Sequence, residues 1–158
     1  MRGKRPPASP LNEGTQPVAS QVQGFIERAG TRLQDARNAL ELFRLDISIS
    51  NSIESIELSA KATFLLLGEN YPISHDFKDA EVAPLFERLP EQVKHLNFPR
   101  LFVLHELWRR FYTLSKYGKD LWGVPAKDLF KKEEAELAAA HASDWSVAVN
   151  VLRSVSGS

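Results

Sequence analysis

The segment 92–119 gathers side chains that could bind an anion and stack on a base. It holds six basic residues and a single acid, Glu106. With about 100° between successive residues of a helix, one side of this segment carries cations and aromatic rings together. That side consists of His105, Trp108, Arg109, Tyr112, Lys116 and Lys119. Because cations hold phosphates and aromatic rings stack on bases, this stripe predicts a site for a nucleotide or single-stranded RNA.

The opposite side of the same predicted helix is apolar and should pack on the core. It consists of Val103, Leu107, Phe111 and Leu114. We therefore expect Arg109, Tyr112 and Lys116 to share an open surface, and their burial in the core would contradict a binding role. A solvated helix face that binds nothing is the alternative, because charged residues are common on exposed helix faces.

Three other polar residues have structural explanations. Lys61 follows Glu57 by four residues, and a glutamate that precedes a lysine in this way forms a favourable ion pair along a helix. His75 and Asp76 stand where they can cap and brace a short helix that follows them. From the residue pattern alone, these structural roles are preferred to ligand binding.

Composition excludes several kinds of chemistry. The 158 residues include no cysteine, which excludes disulfides, thiolate metal sites and cysteine nucleophiles. The four histidines are not spaced as helical metal ligands, so we predict no metal site and no cofactor. There is neither an apolar run of about 20 residues nor the pattern of a secretory leader. We therefore expect a cytoplasmic protein without membrane contact.

The elements that position these side chains are predicted to be helices. Residues 1–19 are rich in proline and polar residues, which predicts a disordered tail. A first helix should begin after Ser20 as N-cap and reach about Phe43. The β-branched stretch 45–51 could form a strand, but a lone strand would have no partner. We expect a turn there, and a second helix over about 52–67.

Three more helices follow in the predicted order. A short third helix covers about 77–89 with Asp76 as its cap, and a fourth runs from about Pro99 to Tyr117 with Asn97 as its cap. A fifth helix covers about 131–151. Four long helices and one short helix, without a credible sheet, predict an all-α antiparallel up-and-down helical bundle over residues 20–155.

Several of these residues occur together in a known pattern. The second helix carries Glu57-Leu-Ser-Ala-Lys-Ala62 and a leucine run that ends at Gly68, and Pro72 and His75-Asp76-Phe77 follow. A later segment reads Arg110-Phe-Tyr-Thr-Leu-Ser-Lys-Tyr117. In order and spacing the chain resembles the HEPN family, the higher eukaryotes and prokaryotes nucleotide-binding domain. It departs from the family pattern at Lys116 and Gly118, where the family has Arg and Pro.

The resemblance implies a helical bundle that binds a nucleotide or RNA and is commonly a homodimer. Some family members pair with a separately encoded minimal nucleotidyltransferase, so such a partner protein is expected here. The resemblance and the basic stripe together assign ligand binding to Lys61, His75, Asp76, Arg109, Arg110, Tyr112, Lys116 and Tyr117.

A metal-independent endoribonuclease of the toxin type is an alternative function. Ribonuclease members of the family carry Arg-x(4–6)-His, often with a polar residue after the arginine, and Arg100 and His105 have this spacing although Leu101 is apolar. His105 would act as general acid or base, and Arg100 would stabilise charge on the phosphorane. On a straight helix these side chains point about 140° apart, so they converge only at an irregular helix start or between two subunits. A dimeric scaffold without ligand chemistry is the third function.

Overall fold

The computed structural model describes residues 10–157, with side chains from residue 18 onward. It contains no strand within that range, and a single antiparallel bridge pairs Lys119 with Val124. The predicted all-α fold class is confirmed. Its α-helices are α1 (Pro10–Glu41), α2 (Leu45–Leu66), α3 (Asp79–Glu87), α4 (Phe98–Arg109), α5 (Tyr112–Tyr117) and α6 (Lys132–Val155). Short 3-10 helices cover Glu91–Leu96, Asp120–Trp122 and Ala126–Asp128.

Helices α1 and α2 form an antiparallel pair with a close approach. The side-chain oxygen of Ser48 donates to the carbonyl of Ala36 at 2.8 Å, and that of Ser55 donates to the carbonyl of Ala29 at 2.7 Å. From the first bond to the second, the residue number rises along α2 and falls along α1, so the two helices run antiparallel. Small hydroxyl side chains let the helices approach closely, and at Ser48 and Ser55 the buried hydroxyls are hydrogen-bonded.

Helices α4 and α6 form a second antiparallel pair. The indole N–H of Trp145 donates to the carbonyl of Leu101 at 2.9 Å, and the indole N–H of Trp108 donates to Nδ1 of His141 at 2.9 Å. Helix α2 packs against α1, α4, α5 and α6, so it is the central element of the bundle. The pair of α4 and α6 therefore packs against the first pair through α2.

The main core lies where α2, α4 and α6 meet. The ring of Phe102 packs edge-on against Phe64, at 5.8 Å, and against Trp145, at 5.0 Å between ring centroids. A second core cluster joins the first half of α1 to the ends of α2 and α6. It consists of Val22, Ile26, Ala62, Leu65 and Val149.

The first two helices both begin earlier than the sequence predicted. Helix α1 begins at Pro10, so Ser20 is not its N-cap, and residues 10–19 of the predicted tail are helical. Val18, the first residue with a described side chain, packs against the second core cluster, which explains part of this extension. The rest of the predicted tail, residues 1–9, lies outside the described residues.

Helix α2 begins at Leu45, so the turn predicted over 45–51 is wrong, and the alternative of a strand there does not form either. Ser48, Ile49, Ser52 and Ile53 are buried in the spacing of a helix. Packing of this buried face outweighs the weak preference of β-branched residues for strands.

Two predicted boundaries in the second half also need correction. Helix α3 begins at Asp79 after Lys78, so Asp76 is not its cap. The predicted fourth helix is divided, because α4 ends at Arg109 and α5 begins at Tyr112. The predicted cap at Asn97 is confirmed, since its side-chain oxygen accepts from the backbone N–H of Arg100 at 3.2 Å.

Candidate functional site

A cleft of about 560 Å³ opens between α3 and α4. Its walls combine apolar side chains with ionisable groups from the loop before α3 and from the end of α4. The residues that line it are Asp76, Phe77, Asp79, Val82, Ala83, Phe86, Pro99, Phe102, Val103, His105, Glu106, Arg109 and Arg110. Four predicted site residues, Asp76, His105, Arg109 and Arg110, therefore meet at one concave surface.

Helix α4 turns a different face to the core from the one that the sequence predicted. Val103 and Leu107, predicted to pack inside, are 62% and 45% exposed, whereas His105 is 4% exposed. The buried face is made by Phe98, Leu101, Phe102, Leu104, His105 and Trp108. These side chains remove more apolar area from water than Val103 and Leu107 could. The prediction also counted Phe111 and Leu114, which follow the end of α4.

His105 is the most perturbed ionisable group of the cleft. Its ring stacks on Phe77, with 4.3 Å between centroids and 6° between planes. Its Nε2 is buried and has no hydrogen-bond partner. Burial lowers the pKa of His105 to about 4, and nearby Arg109 lowers it while Glu57 raises it. The imidazole is therefore neutral at neutral pH, so Nε2 can donate or accept according to the tautomer.

Arg109 lies beside His105 with its guanidinium over the ring of Tyr112, at 4.6 Å from the ring centroid. Its Nη1 is 3.8 Å from a carboxylate oxygen of Glu57, which is too far for a hydrogen bond. The same Nη1 is buried and has no hydrogen-bond partner. Two buried polar atoms without partners, one on His105 and one on Arg109, thus belong to residues that line the same cleft.

Glu57 contacts three of the predicted binding residues, Lys61, His75 and Arg109. Its Oε1 contacts Nδ1 of His75 and lies 3.9 Å from the ammonium of Lys61, and its other oxygen faces Arg109. The ammonium of Lys61 also lies over the ring of Tyr71, at 5.4 Å. Lys61 thus forms the structural ion pair that its spacing predicted. His75 braces the loop before α3 against α2 and does not cap α3.

Glu54, one turn before Glu57 on α2, contacts Tyr112 and Lys116 of the stripe. It accepts a hydrogen bond from the hydroxyl of Tyr112 at 3.1 Å and lies 3.2 Å from Lys116 and 3.1 Å from Arg32. Hydrogen bonds with Tyr112 and Glu54 raise the pKa of Lys116 above its ordinary value. Lys116 is therefore paired with α2, although its side chain stays 36% exposed.

The predicted open surface is corrected accordingly. Arg109, Tyr112 and Lys116 do lie together, but the side chain of Arg109 is 18% exposed and the ring of Tyr112 is half-buried. Two cations of the stripe are paired with glutamates of α2, Arg109 with Glu57 and Lys116 with Glu54. The concave surface open to a ligand is the neighbouring cleft, which the stripe shares through His105 and Arg109.

The remaining predicted residues lie apart from one another. Arg100 forms an ion pair with Asp144 of α6 at 3.4 Å, and it does not line the cleft that holds His105. Arg110 is exposed at the cleft, 3.9 Å from Glu106. Tyr117 is 67% exposed and lines a separate shallow depression after α5. One chain therefore does not bring Arg100 and His105 together.

A second concavity has a different character. It is an apolar groove of about 450 Å³ between α4, α6 and the segment that joins α5 to α6. The residues that line it are Leu107, Trp108, Phe111, Leu114, Lys119, Trp122, Leu129, Phe130, Glu134 and Leu137. It lacks the buried, unpartnered polar atoms that distinguish the cleft.

Within residues 10–157, no cluster of histidine, aspartate and glutamate has the arrangement of a metal site. Over the same range, no helix is both long and apolar enough to cross a membrane.

The sequence prediction missed Glu54 and Glu57 as members of the site, and it missed Phe77 as the ring beneath His105. A signal for Glu57 was present, because it is an acid in a run of helix whose neighbours Ile53, Ile56 and Ala60 are apolar. A charge within such a run is buried only when it is paired. The stacking of Phe77 on His105 joins a loop to a distant helix and left no local signal.

The comparison with known families gives one finding. The sequence model of the HEPN domain matches residues 22–144, well over half of the chain. The comparisons with curated proteins and with solved structures found no match. The resemblance that the sequence suggested is confirmed by the family match and agrees with the all-helical structure. The chain therefore belongs to the HEPN domain family, whose fold is all-helical and whose members are generally connected with nucleotides and RNA.

Proposed function

We propose that the chain is a nucleotide- or RNA-binding module whose ligand occupies the cleft between α3 and α4. The observation that carries this proposal is the pair of buried polar atoms without partners, Nε2 of His105 and Nη1 of Arg109. Buried polar groups are nearly always hydrogen-bonded. Of the four exceptions among the described residues, two are the hydroxyls of Ser52 and Ser59 on α2, and the other two lie together at this cleft. A bound ligand would supply the missing partners.

The size and walls of the cleft support the same ligand class. Its volume of about 560 Å³ lies within the range of small-molecule sites. Phe86, Phe102 and Val82 give it an apolar wall suited to the face of a base. The side chain of Arg110 is 77% exposed, so it is accessible to a phosphate of the ligand. Its contact with Glu106 at 3.9 Å is too loose to hold it strongly.

A binding titration tests the proposal. Fluorescence anisotropy with labelled single-stranded RNA, and calorimetry with mononucleotides, should both show binding that weakens as salt is raised. Arg110→Gln should weaken binding about tenfold, because a hydrogen bond to a charged group contributes about 1.5 kcal/mol. His105→Gln should weaken it as well. Arg28→Gln, an exposed arginine on α1, is the matched control and should bind normally.

The outcomes separate clearly. Loss of binding in the cleft variants, with unchanged circular dichroism and a normal control, supports the proposal. Absence of binding by either ligand class at low salt would overturn it. Equal binding by the native chain, Arg110→Gln and His105→Gln would place the ligand elsewhere and would also overturn it.

A metal-independent ribonuclease is the second candidate. Its support is His105, which lines the cleft and is unprotonated at neutral pH, the form that a general base needs. Its weakness is Arg100, which lies against Asp144. Cleavage through this pair would require the arginine of another chain, and we therefore favour binding.

The partner assignments rest on the family resemblance alone. A homodimer and a separately encoded nucleotidyltransferase are part of the proposal. A dimeric scaffold without ligand chemistry would give a use to the apolar groove between α4 and α6. It would leave the two unpartnered polar atoms of the cleft without explanation, so we rank it below ligand binding.

A further inference from the structure

The cleft between α3 and α4 offers hydrogen-bond acceptors and donors at different places. Asp76 and Asp79, from the loop and the start of α3, supply carboxylates, and neither forms an ion pair within the described chain. Arg109 and Arg110, at the end of α4, supply N–H groups. Such an arrangement selects a ligand that has N–H groups on one edge and acceptors on another.

We propose that the base held in this cleft is guanine, an inference that rests on the proposed nucleotide- or RNA-binding function. Guanine carries two N–H groups side by side, at N1 and the 2-amino group, which suit the two oxygens of one carboxylate. Its O6 and N7 are adjacent acceptors that suit the paired N–H groups of an arginine. The carboxylate of Asp76 or Asp79 would bind the first edge, and Arg109 would bind the second.

Arg109 is prepared for this role by its surroundings. Its guanidinium uses one face to lie over the ring of Tyr112, and its N–H groups form no hydrogen bond within the described chain, although Glu57 lies 3.8 Å from Nη1. One of these groups, at Nη1, is buried without a hydrogen-bond partner. Asp76 and Arg109 both act on the charge of His105, so both lie near this imidazole.

The other bases fit this set of groups less well. Adenine has an N7 acceptor but an amino group where guanine has O6, so an arginine bound to N7 would meet a donor. Uracil has no two adjacent acceptors for an arginine. Cytosine has such a pair, at N3 and O2, but it lacks the two neighbouring N–H groups that guanine offers to a carboxylate. Hypoxanthine keeps O6, N7 and N1–H but has no 2-amino group, which makes inosine monophosphate the sharpest probe of the carboxylate contact.

The experiment is a calorimetric titration of the full chain with GMP, IMP, AMP, CMP and UMP. GMP should bind about tenfold more tightly than AMP, since a paired arginine–guanine contact discriminates by about 1–3 kcal/mol. IMP should fall between them. Asp76→Asn and Asp79→Asn, both at exposed positions, should reduce the preference for GMP over IMP in at least one variant. Asp128→Asn, at an exposed aspartate that has no ion pair within the described chain and does not line the cleft, is the matched control and should retain the preference.

The results distinguish the two proposals. Binding of all five nucleotides with equal affinity would overturn guanine selection while the proposed binding function stands. Binding of none of them, and of no RNA, would overturn both. A preference for GMP that neither aspartate variant changes would overturn the assigned contacts. Comparison of GMP with a guanine-containing RNA and an RNA without guanine shows whether the guanine comes from a free nucleotide or from a strand.

Discussion

His105 is expected to make the stability of the fold depend on pH. Burial lowers its pKa in the folded chain to about 4, against about 6.5 when unfolded. Between these values the unfolded chain binds more protons, so the free energy of unfolding falls as pH falls from 6.5 to 4. The full effect is about 3 kcal/mol, at about 1.4 kcal/mol for each pH unit of difference. Urea unfolding at several pH values measures it.

His105→Gln is the control for this pH dependence, because it keeps a polar side chain that does not titrate. The charged or titratable groups around the imidazole are Glu57, Asp76, Arg109 and His75. They are present in both proteins, so the difference between the two stabilities isolates His105. A difference that stays constant from pH 7 to pH 4, or an imidazole NMR titration centred near pH 6.5, would contradict the prediction.

Residue types indicated the chemistry of the site better than they indicated its geometry. Arg109, Tyr112 and Lys116 do come together, as a helical wheel predicts. The wheel could not show that Glu54 and Glu57 lie across from them, because that contact depends on how α2 packs against α4 and α5. Ion pairs between helices depend on tertiary structure, and neither sequence distance nor net charge reveals them.

At the scale of elements, the turn after α5 depends on Gly118. Its φ is +70°, and a Cβ there would lie 2.4 Å from the carbonyl oxygen of Val124 and 2.6 Å from the backbone N of Ala126. Backbone atoms of a closed turn cannot move aside cheaply, so Gly118→Ala should cost about 3 kcal/mol, near the upper end for single substitutions. Thermal or urea unfolding measures the loss.

Gly123 provides the matched comparison in the same turn. Its φ is +68°, but a Cβ there would meet no atom within 4 Å. Gly123→Ala therefore carries only the cost of a left-handed backbone, roughly 1 kcal/mol. If both variants lose the same stability, the close approach at Gly118 does not matter, and the structural argument for this turn fails.

Helix boundaries and faces were predicted unevenly, and the differences have physical causes. Local capping identified the start of α4, because the side chain of Asn97 bonds the first turn. The start of α2 was missed because buried packing of Ile49, and not local propensity, holds the segment 45–51 in a helix. The break after Arg109 was missed because no Gly or Pro marks it, and the buried face of α4 was consequently misassigned.

At the scale of the whole molecule, two core clusters share side chains. Leu66 and Tyr71 pack against both the main cluster and the second cluster. Helix α2 passes through both, and all the other long helices contact it. This arrangement explains why the fold class could be predicted from helical periodicity alone, since any helix with one apolar face must bury it against a neighbour. It also means that the two clusters should not unfold separately.

We therefore expect a single cooperative unfolding transition. In urea, two signals should change at one midpoint. They are the fluorescence of the buried Trp108 and Trp145 and the helical circular dichroism. Ile26→Ala, in the second cluster, should lower both midpoints together and cost about 3 kcal/mol, as truncations of buried aliphatic side chains do. Val147→Ala, at an exposed site of α6, should change neither. If Ile26→Ala shifted the circular dichroism midpoint and left the fluorescence midpoint in place, α1 would unfold independently of the main core.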